Sequence, residues 1–247
     1  MGRTMTPPLV TIITFTYNRP GMFAECAQAV LAQTFTDWVW WVVFNWEPGE
    51  KPQMYQWEPF NDARVIPIMF PLAKGDRAKI YIPSDMVNWS YPKVQTPYIY
   101  FLADDDLIDP NGLSVLVPAM GSPTDSARRF VGTRSAVYGR CEVIDQQPDG
   151  TYAHACWCYD AGDVGRGTGI DPDCRLDSGQ ILHTKELWDR ATADGWRLTT
   201  ANAEAAHADG ILLNRLAEFE CFHYVPQRIV THRRHTGASH HRPQLIL

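Results

Sequence analysis

The chain has 247 residues, 45% of them hydrophobic, with 22 Lys and Arg against 28 Asp and Glu for a formal net charge of −6. This composition excludes intrinsic disorder and suits a soluble globular protein whose core needs no disulfide or metal staple. It also excludes a broad phosphate-binding face of the kind that grips duplex nucleic acid, which needs a surplus of Lys and Arg.

Residues 9–16, LVTIITFT, are β-branched, uncharged and bounded by Pro8 and Asn18, the pattern of a strand buried on both faces. Residues 20–35 follow as a helix, with Pro20 in its first turn and Phe23, Ala27, Val30 and Leu31 at helical spacing. Residues 38–44, WVWWVVF, read as a second buried strand, so the chain opens with a right-handed parallel crossover. A loop with Pro48, Gly49 and Pro52 leads to a short strand over 64–70, and a helix over 84–94 is interrupted by Pro92. Residues 98–102 form an apolar strand that runs into Asp104, Asp105 and Asp106, and function is expected at that carboxyl end.

Beyond it the pattern predicts a helix over 112–120, strands around 134–144 and a turn at Pro148, Asp149 and Gly150. The Gly-rich residues 161–173 read as a long mobile loop, a common form for an active-site cover. Helices are expected over 185–193 and 208–219, then a last strand over 224–232. From Cys221 onward there are no acids, four arginines and five histidines, so the tail is locally cationic. With no internal repeat or sharp boundary, residues 1–247 read as one α/β domain.

No run of about 18 apolar residues occurs, and the opening MGRTMTPP lacks the regions of a secretion signal, so no membrane span and a cytoplasmic location are expected. The six cysteines, Cys26, Cys141, Cys156, Cys158, Cys174 and Cys221, are irregularly spaced and read as reduced thiols. His154, Cys156, Cys158 and Cys174 have donor types for zinc, but a Cys-x-Cys pair fits poorly the wider spacing zinc favours.

Three adjacent carboxylates repel one another unless something neutralises them, and hard oxygen donors suit Mg²⁺ or Mn²⁺ bridged to a substrate phosphate. The plain alternative is a solvated acidic turn ahead of a helix begun by Asp109 and Pro110.

Six segments carry a resemblance: LVTIITFTYNRP, AVLAQTFTDWVWWVV, FLADDDLIDP, SGQILHTKEL, ADGILLNRL and THRRHTGAS. In this order they resemble the inverting nucleotide-sugar glycosyltransferases of family 2, whose catalytic domain has the GT-A fold. The resemblance implies a Rossmann-like mixed, mainly parallel sheet flanked by helices. About 9–120 would bind the nucleotide sugar and about 121–247 the acceptor. It implies that Thr16, Tyr17, Asn18 and Arg19 frame the nucleotide base, and that Asp104, Asp105 and Asp106 hold Mn²⁺ or Mg²⁺ on the pyrophosphate. Asp209 would be the general base, His235 would complete the metal site, and Arg233 and Arg234 would neutralise the departing diphosphate. Ser178 and Gly179 would lie on the acceptor side, flanked by Trp157 and Trp196. Asp209 also suits a helix N-cap, a compatible role.

Two positions depart from the family. Ala103 stands where its metal motif usually starts with aspartate, and Phe44-Asn45-Trp46-Glu47 replaces its Asp-Asp-Gly-Ser run. Asn45 can hydrogen-bond a base and Trp46 can stack on one, so the nucleotide is UDP, GDP or dTDP. Trp38, Trp40 and Trp41 read as strand core, and Trp46 and Trp57 as ligand contacts. The expected activity is metal-dependent inverting transfer of a sugar from a nucleoside diphosphate to an acceptor hydroxyl. The acceptor is a glycan, a lipid-linked sugar, a protein or a hydroxymethylated DNA base. The alternative is a non-catalytic nucleotide- or glycan-binding relative. A nucleotidyltransferase would need a Gly-rich loop where TFTYNRPG stands.

Overall fold

β1 (Val10–Thr16) is buried along its whole length, and its three threonines keep their hydroxyls satisfied there. Thr11 bonds Thr96 at 2.8 Å, Thr14 accepts from the Trp40 indole at 2.9 Å, and Thr16 donates to Asp104 at 2.8 Å. The computed structural model describes residues 8–50, 58–74, 82–121, 134–158, 162–172, 175–198 and 208–235, with backbone only at 58, 82, 208 and 209. α1 (Pro20–Leu31) has Pro20 in its first turn and buries Phe23, Cys26, Ala27 and Val30. β2 (Trp38–Phe44) pairs parallel with β1, and β3 (Val65–Met69) pairs parallel with β2 at the sheet edge. An edge is where Pro67 can sit within a strand, since it has no ladder hydrogen to donate.

α2 (Ile82–Ser90) is shorter than the helix expected over 84–94. It gives way to a 3₁₀ turn, Tyr91–Lys93, because Pro92 cannot supply the α-helical hydrogen bond. β4 (Tyr98–Phe101) lies parallel to β1 on the side away from β2. There follow β5 (Leu107–Ile108), α3 (Gly112–Ala119), β6 (Ala136–Gln146), β7 (Tyr152–Trp157), β8 (Val164–Gly165), β9 (Ile181–Thr184), α4 (Lys185–Thr192), α5 (Ala208–Ala217) and β10 (Cys221–Arg234).

These strands join one mixed sheet in the order β3-β2-β1-β4-β9-β6-β10-β5, with β7 on β6 and β8 on β10. Side chains alternate between its faces, so Val10 and Ile12 enter one core with α1 and α3, while Ile13 and Phe15 enter the other with α4 and α5. Trp38 and Trp40 are core residues, as expected. No helix among the described residues is long and apolar enough to cross a membrane.

β9 was not expected from sequence. Over its described residues 162–172 the Gly-rich segment is joined to β10 through β8. Gly165, Gly167 and Gly169, all at positive φ, make the reversal that lets Gly165 bridge Ile170.

β10 runs parallel to β6 but slips register between Tyr224 and Arg228, around Pro226. Gly139 faces this bulge. A Cβ there would lie 2.8 Å from the Gln227 carbonyl and closer still to Ile229 Cγ1, so only glycine lets the strands meet.

Candidate active site

The strand order reverses between β1 and β4: β2 and β3 extend one way and β4 the other. Open α/β sheets bind ligands at such a switch point, outside the carboxyl ends of the strands. Thr16 ends β1, the three aspartates follow β4, and His235 follows β10. β4 to β9 and β9 to β6 are antiparallel steps and β6 to β10 is parallel. β10 therefore runs in the direction of β1 and β4 and delivers His235 to the same edge.

The turn after β1 places Asn18 at φ 51°, a left-handed conformation that asparagine tolerates better than most residues. Arg19 then reaches across to both leading aspartates. Its Nη1 donates to Asp105 at 2.6 Å and to Asp104 at 3.1 Å. His235 Nε2 lies 3.1 Å from the same Asp105 oxygen. Burial and the neighbouring Asp105 charge push the Asp104 carboxyl up to about 6, with Arg19 and Thr16 pulling the other way.

Asp106 faces a different group. It accepts the Arg233 backbone N–H at 3.1 Å and lies 3.2 Å from His232 Nδ1. His232 Nδ1 is also 3.5 Å from Asp177, which caps the 3₁₀ turn Ser178–Gln180. Burial raises Asp106 to about 7 despite His232. Burial alone would lower the His232 pKa, but the Asp106 and Asp177 carboxylates carry it well above the usual imidazole range. His232 and Asp177 were not foreseen from sequence, although His232 lies within the segment THRRHTGAS and Asp177 directly precedes SGQILHTKEL.

Arg233 is only 2% exposed, and its guanidinium meets Glu25, the Met22 carbonyl and the Asp105 carbonyl, so it braces α1 against the aspartate turn. Arg234 is half-buried in a two-pronged pair with Asp145 at 2.6 and 2.9 Å.

On the β2 side, the Asn45 N–H donates to the Thr16 carbonyl at 3.4 Å, holding the following loop against the end of β1. Trp46 meets Tyr17 edge-on with centroids 5.6 Å apart, and Tyr17 donates to Glu50 at 3.2 Å. Trp57 lies outside the described residues. On the other side, the Gly179 carbonyl accepts from Tyr100, which fixes the Ser178 turn beneath β4. Trp157 is 38% exposed, level with Thr231 across β6, and carries the Arg140 guanidinium 4.1 Å above its ring. Trp196 packs into the second core with Arg215 5.7 Å from its centroid, and no contact joins it to the aspartates. Asp209 lies in the first turn of α5.

Among the described residues, metal-ligand atoms converge within 4.8 Å in two groups, Asp106 with Asp177 and His232, and Asp163 with Cys221 and His223. His154, Cys156 and Cys158 do not form such a group. His154 sits 3.1 Å from Glu142, and Cys174 lies outside the described residues. The five described cysteines are free thiols.

No family model matches the sequence, and no curated protein matches it. Solved structures do match. S. aureus TarS 1-349 in complex with UDP-GlcNAc superposes with a TM-score of 0.64 at 12% identity, covering 93% of this chain and 59% of that one. The fold is of the GT-A type. The mannosyltransferase PcManGT from Pyrobaculum calidifontis, in complex with GDP-Man and Mn²⁺, matches this GT-A chain with a TM-score of 0.54 at 12% identity over 93% of it and 57% of its own length. The chain spans 36% of the longer TarS structure.

Proposed function

We propose that this GT-A chain is a metal-dependent inverting glycosyltransferase, of the family 2 kind, that moves a sugar from a nucleoside-diphosphate sugar to an acceptor hydroxyl. The observation that carries it is the gathering of Thr16, Arg19, Asp104, Asp105 and His235 at the switch point of the sheet. Neighbours of the same fold were solved with UDP, with UDP-GlcNAc and with GDP-Man and Mn²⁺, which supports a donor of that class.

The donor types suit a divalent ion. Asp104 and Asp105 offer buried carboxylate oxygens and His235 an imidazole nitrogen that would hold Mn²⁺ or Mg²⁺, beside Asp106, whose carboxylate already converges with Asp177 and His232 within 4.8 Å. Such an ion, when bound, supplies positive charge to the diphosphate that departs. Thr16 and Arg19 hold the two carboxylates in place, and Tyr17, Asn45 and Trp46 offer the nucleotide base a ring edge, an amide and an indole. Asp209 accepts the proton of the acceptor hydroxyl as it attacks the anomeric carbon from the face opposite the diphosphate. The anomeric configuration inverts in that single displacement. Ser178, Gly179 and Trp157 border the acceptor, which is a glycan, a lipid-linked sugar, a protein or a hydroxymethylated DNA base.

A thermal-shift screen of UDP-, GDP- and dTDP-sugars with and without Mn²⁺ tests this reading. A donor at a hundred times its Kd stabilises by about 2.7 kcal/mol, a shift of roughly 5–10 °C for a chain of this size. One nucleotide should give a shift that needs Mn²⁺, and Asp105→Ala should lose that Mn²⁺-dependent shift. No shift with any sugar nucleotide would overturn the proposal. Binding with neither transfer nor slow donor hydrolysis would leave only the non-catalytic alternative.

A further inference from the structure

The first residues of β10 carry a second group of metal-type donors, far from the aspartates. β8 pairs antiparallel with β10 so that Gly165 faces Cys221 and Val164 faces Phe222, and the next step of that ladder sets Asp163 opposite His223. Side chains two apart on a strand leave the same face, so Cys221 and His223 project together and Asp163 joins them from across the ladder. The Cys221 thiol, a His223 ring nitrogen and an Asp163 oxygen lie within 4.8 Å of one another. His223 Nδ1 is 3.0 Å from Asp163 Oδ2, and the Tyr224 N–H donates to Asp163 Oδ1 at 2.8 Å, which orients the carboxylate. His235 is at the far end of the 14-residue β10, roughly 35–40 Å away along an extended strand.

We propose that Asp163, Cys221 and His223 form a Zn²⁺ site distinct from the Asp104, Asp105 and His235 group. One thiolate, one imidazole and one carboxylate are a zinc donor set, whereas Mg²⁺ and Mn²⁺ favour oxygen and gain little from sulfur. Three protein ligands leave the fourth tetrahedral position to water. Bonds of about 2.1 Å from zinc put His and Asp ligand atoms roughly 3.4 Å apart, close to the separation already present. The Tyr224 hydrogen bond is the outer contact that holds a ligating carboxylate in register. On binding, the Cys221 S–H proton leaves to solvent as the sulfur–zinc bond forms, while His223 ligates as neutral imidazole. Burial, with the Asp163 and Glu220 charges, raises the thiol pKa without an ion, and zinc reverses that balance. The consequence is local. Closing the site fastens the glycine-rich turn over 162–172 to β10, restraining Gly162, Gly165, Gly167 and Gly169, which otherwise lose the most backbone freedom on ordering.

Co²⁺ occupies zinc sites and reports thiolate ligation by a sulfur-to-cobalt absorption band. Full-length protein freed of metal should develop that band with a single equivalent of Co²⁺, and Zn²⁺ should bleach it. Cys221→Ser and His223→Gln should each lose the band, and Cys156→Ser, a change at an exposed thiol on β7, should keep it. Circular dichroism of the metal-free variants establishes that they are folded, and two variants at independent ligands guard against one that is not. No thiolate band in the parent, or a band that survives in folded Cys221→Ser, would overturn the site.

Discussion

Replacing Arg19 by Gln removes the one guanidinium that bridges Asp104 and Asp105, at 3.1 and 2.6 Å, and leaves two carboxylates that are only 4% and 8% exposed facing each other. Breaking a fully buried pair costs about 3–5 kcal/mol. The Arg19 side chain is 29% exposed, so solvent screening reduces this to about 2 kcal/mol. In a chain of this size that is a fall in Tm of roughly 4–8 °C. The loss should depend on pH with a definite sign. Asp104 already titrates near 6 in the folded protein, raised from 3.8, so its buried charge costs stability as pH climbs through 6 and costs nothing below 3.8. Arg19 lowers that pKa, so removing it should widen the deficit at pH 8 relative to pH 5. Saturating Mn²⁺ should then stabilise Arg19→Gln more than the parent, because an ion at those carboxylates takes over the charge that Arg19 supplied. Differential scanning fluorimetry of both proteins at pH 5 and 8, with and without Mn²⁺, gives all four comparisons. A variant as stable as the parent at pH 8, or an equal Mn²⁺ shift in both, would refute the reasoning.

Asp209→Asn should lower sugar transfer by about 10²–10⁴-fold with donor affinity unchanged in the thermal-shift screen, and parallel loss of both would mean the base lies elsewhere. His183 is held neutral by burial, its pKa lowered from 6.5 to about 4, so the stability it contributes is complete above pH 6.5 and disappears as pH falls through 4. Between pH 7 and 4.5 the parent should lose about 2 kcal/mol more than His183→Gln in urea unfolding, and parallel pH curves would show that the imidazole is not buried neutral. Gly139→Ala should cost about 3 kcal/mol by pushing a Cβ into the Gln227 carbonyl and Ile229, and an unchanged Tm would mean that the bulge yields freely.

The opening of the fold was legible because its signals are long and local. Residues 38–44 are apolar without interruption, and they form β2 over that same span. α1 buries three of the four residues that helical spacing assigned to its inner face. β9 was not legible. Its four residues, ILHT, end in a histidine and a threonine, and burial of that histidine depends on β4 and β6 closing over it from distant parts of the chain. The pairing of the Gly-rich segment was hidden for the same reason, since its partner strand lies about 55 residues further on and nothing in its own composition announces it.

The site divides along the same line. The three aspartates could be found from sequence because they stand together at a strand end, but their partners lie from 71 residues away (Asp177, 177 − 106) to 130 residues away and sort them into two groups. Asp104 and Asp105 are held by Arg19 and His235, and Asp106 is turned to His232 and Asp177. Strand parity sorts the two arginines as well. Arg233 and Arg234 are consecutive in a strand, and consecutive side chains leave opposite faces. The sheet sends Arg233 inward to Glu25 and Arg234 outward to Asp145, with His232 on the Arg234 side, so strand parity had already named His232 and Arg234 as the residues that can act together.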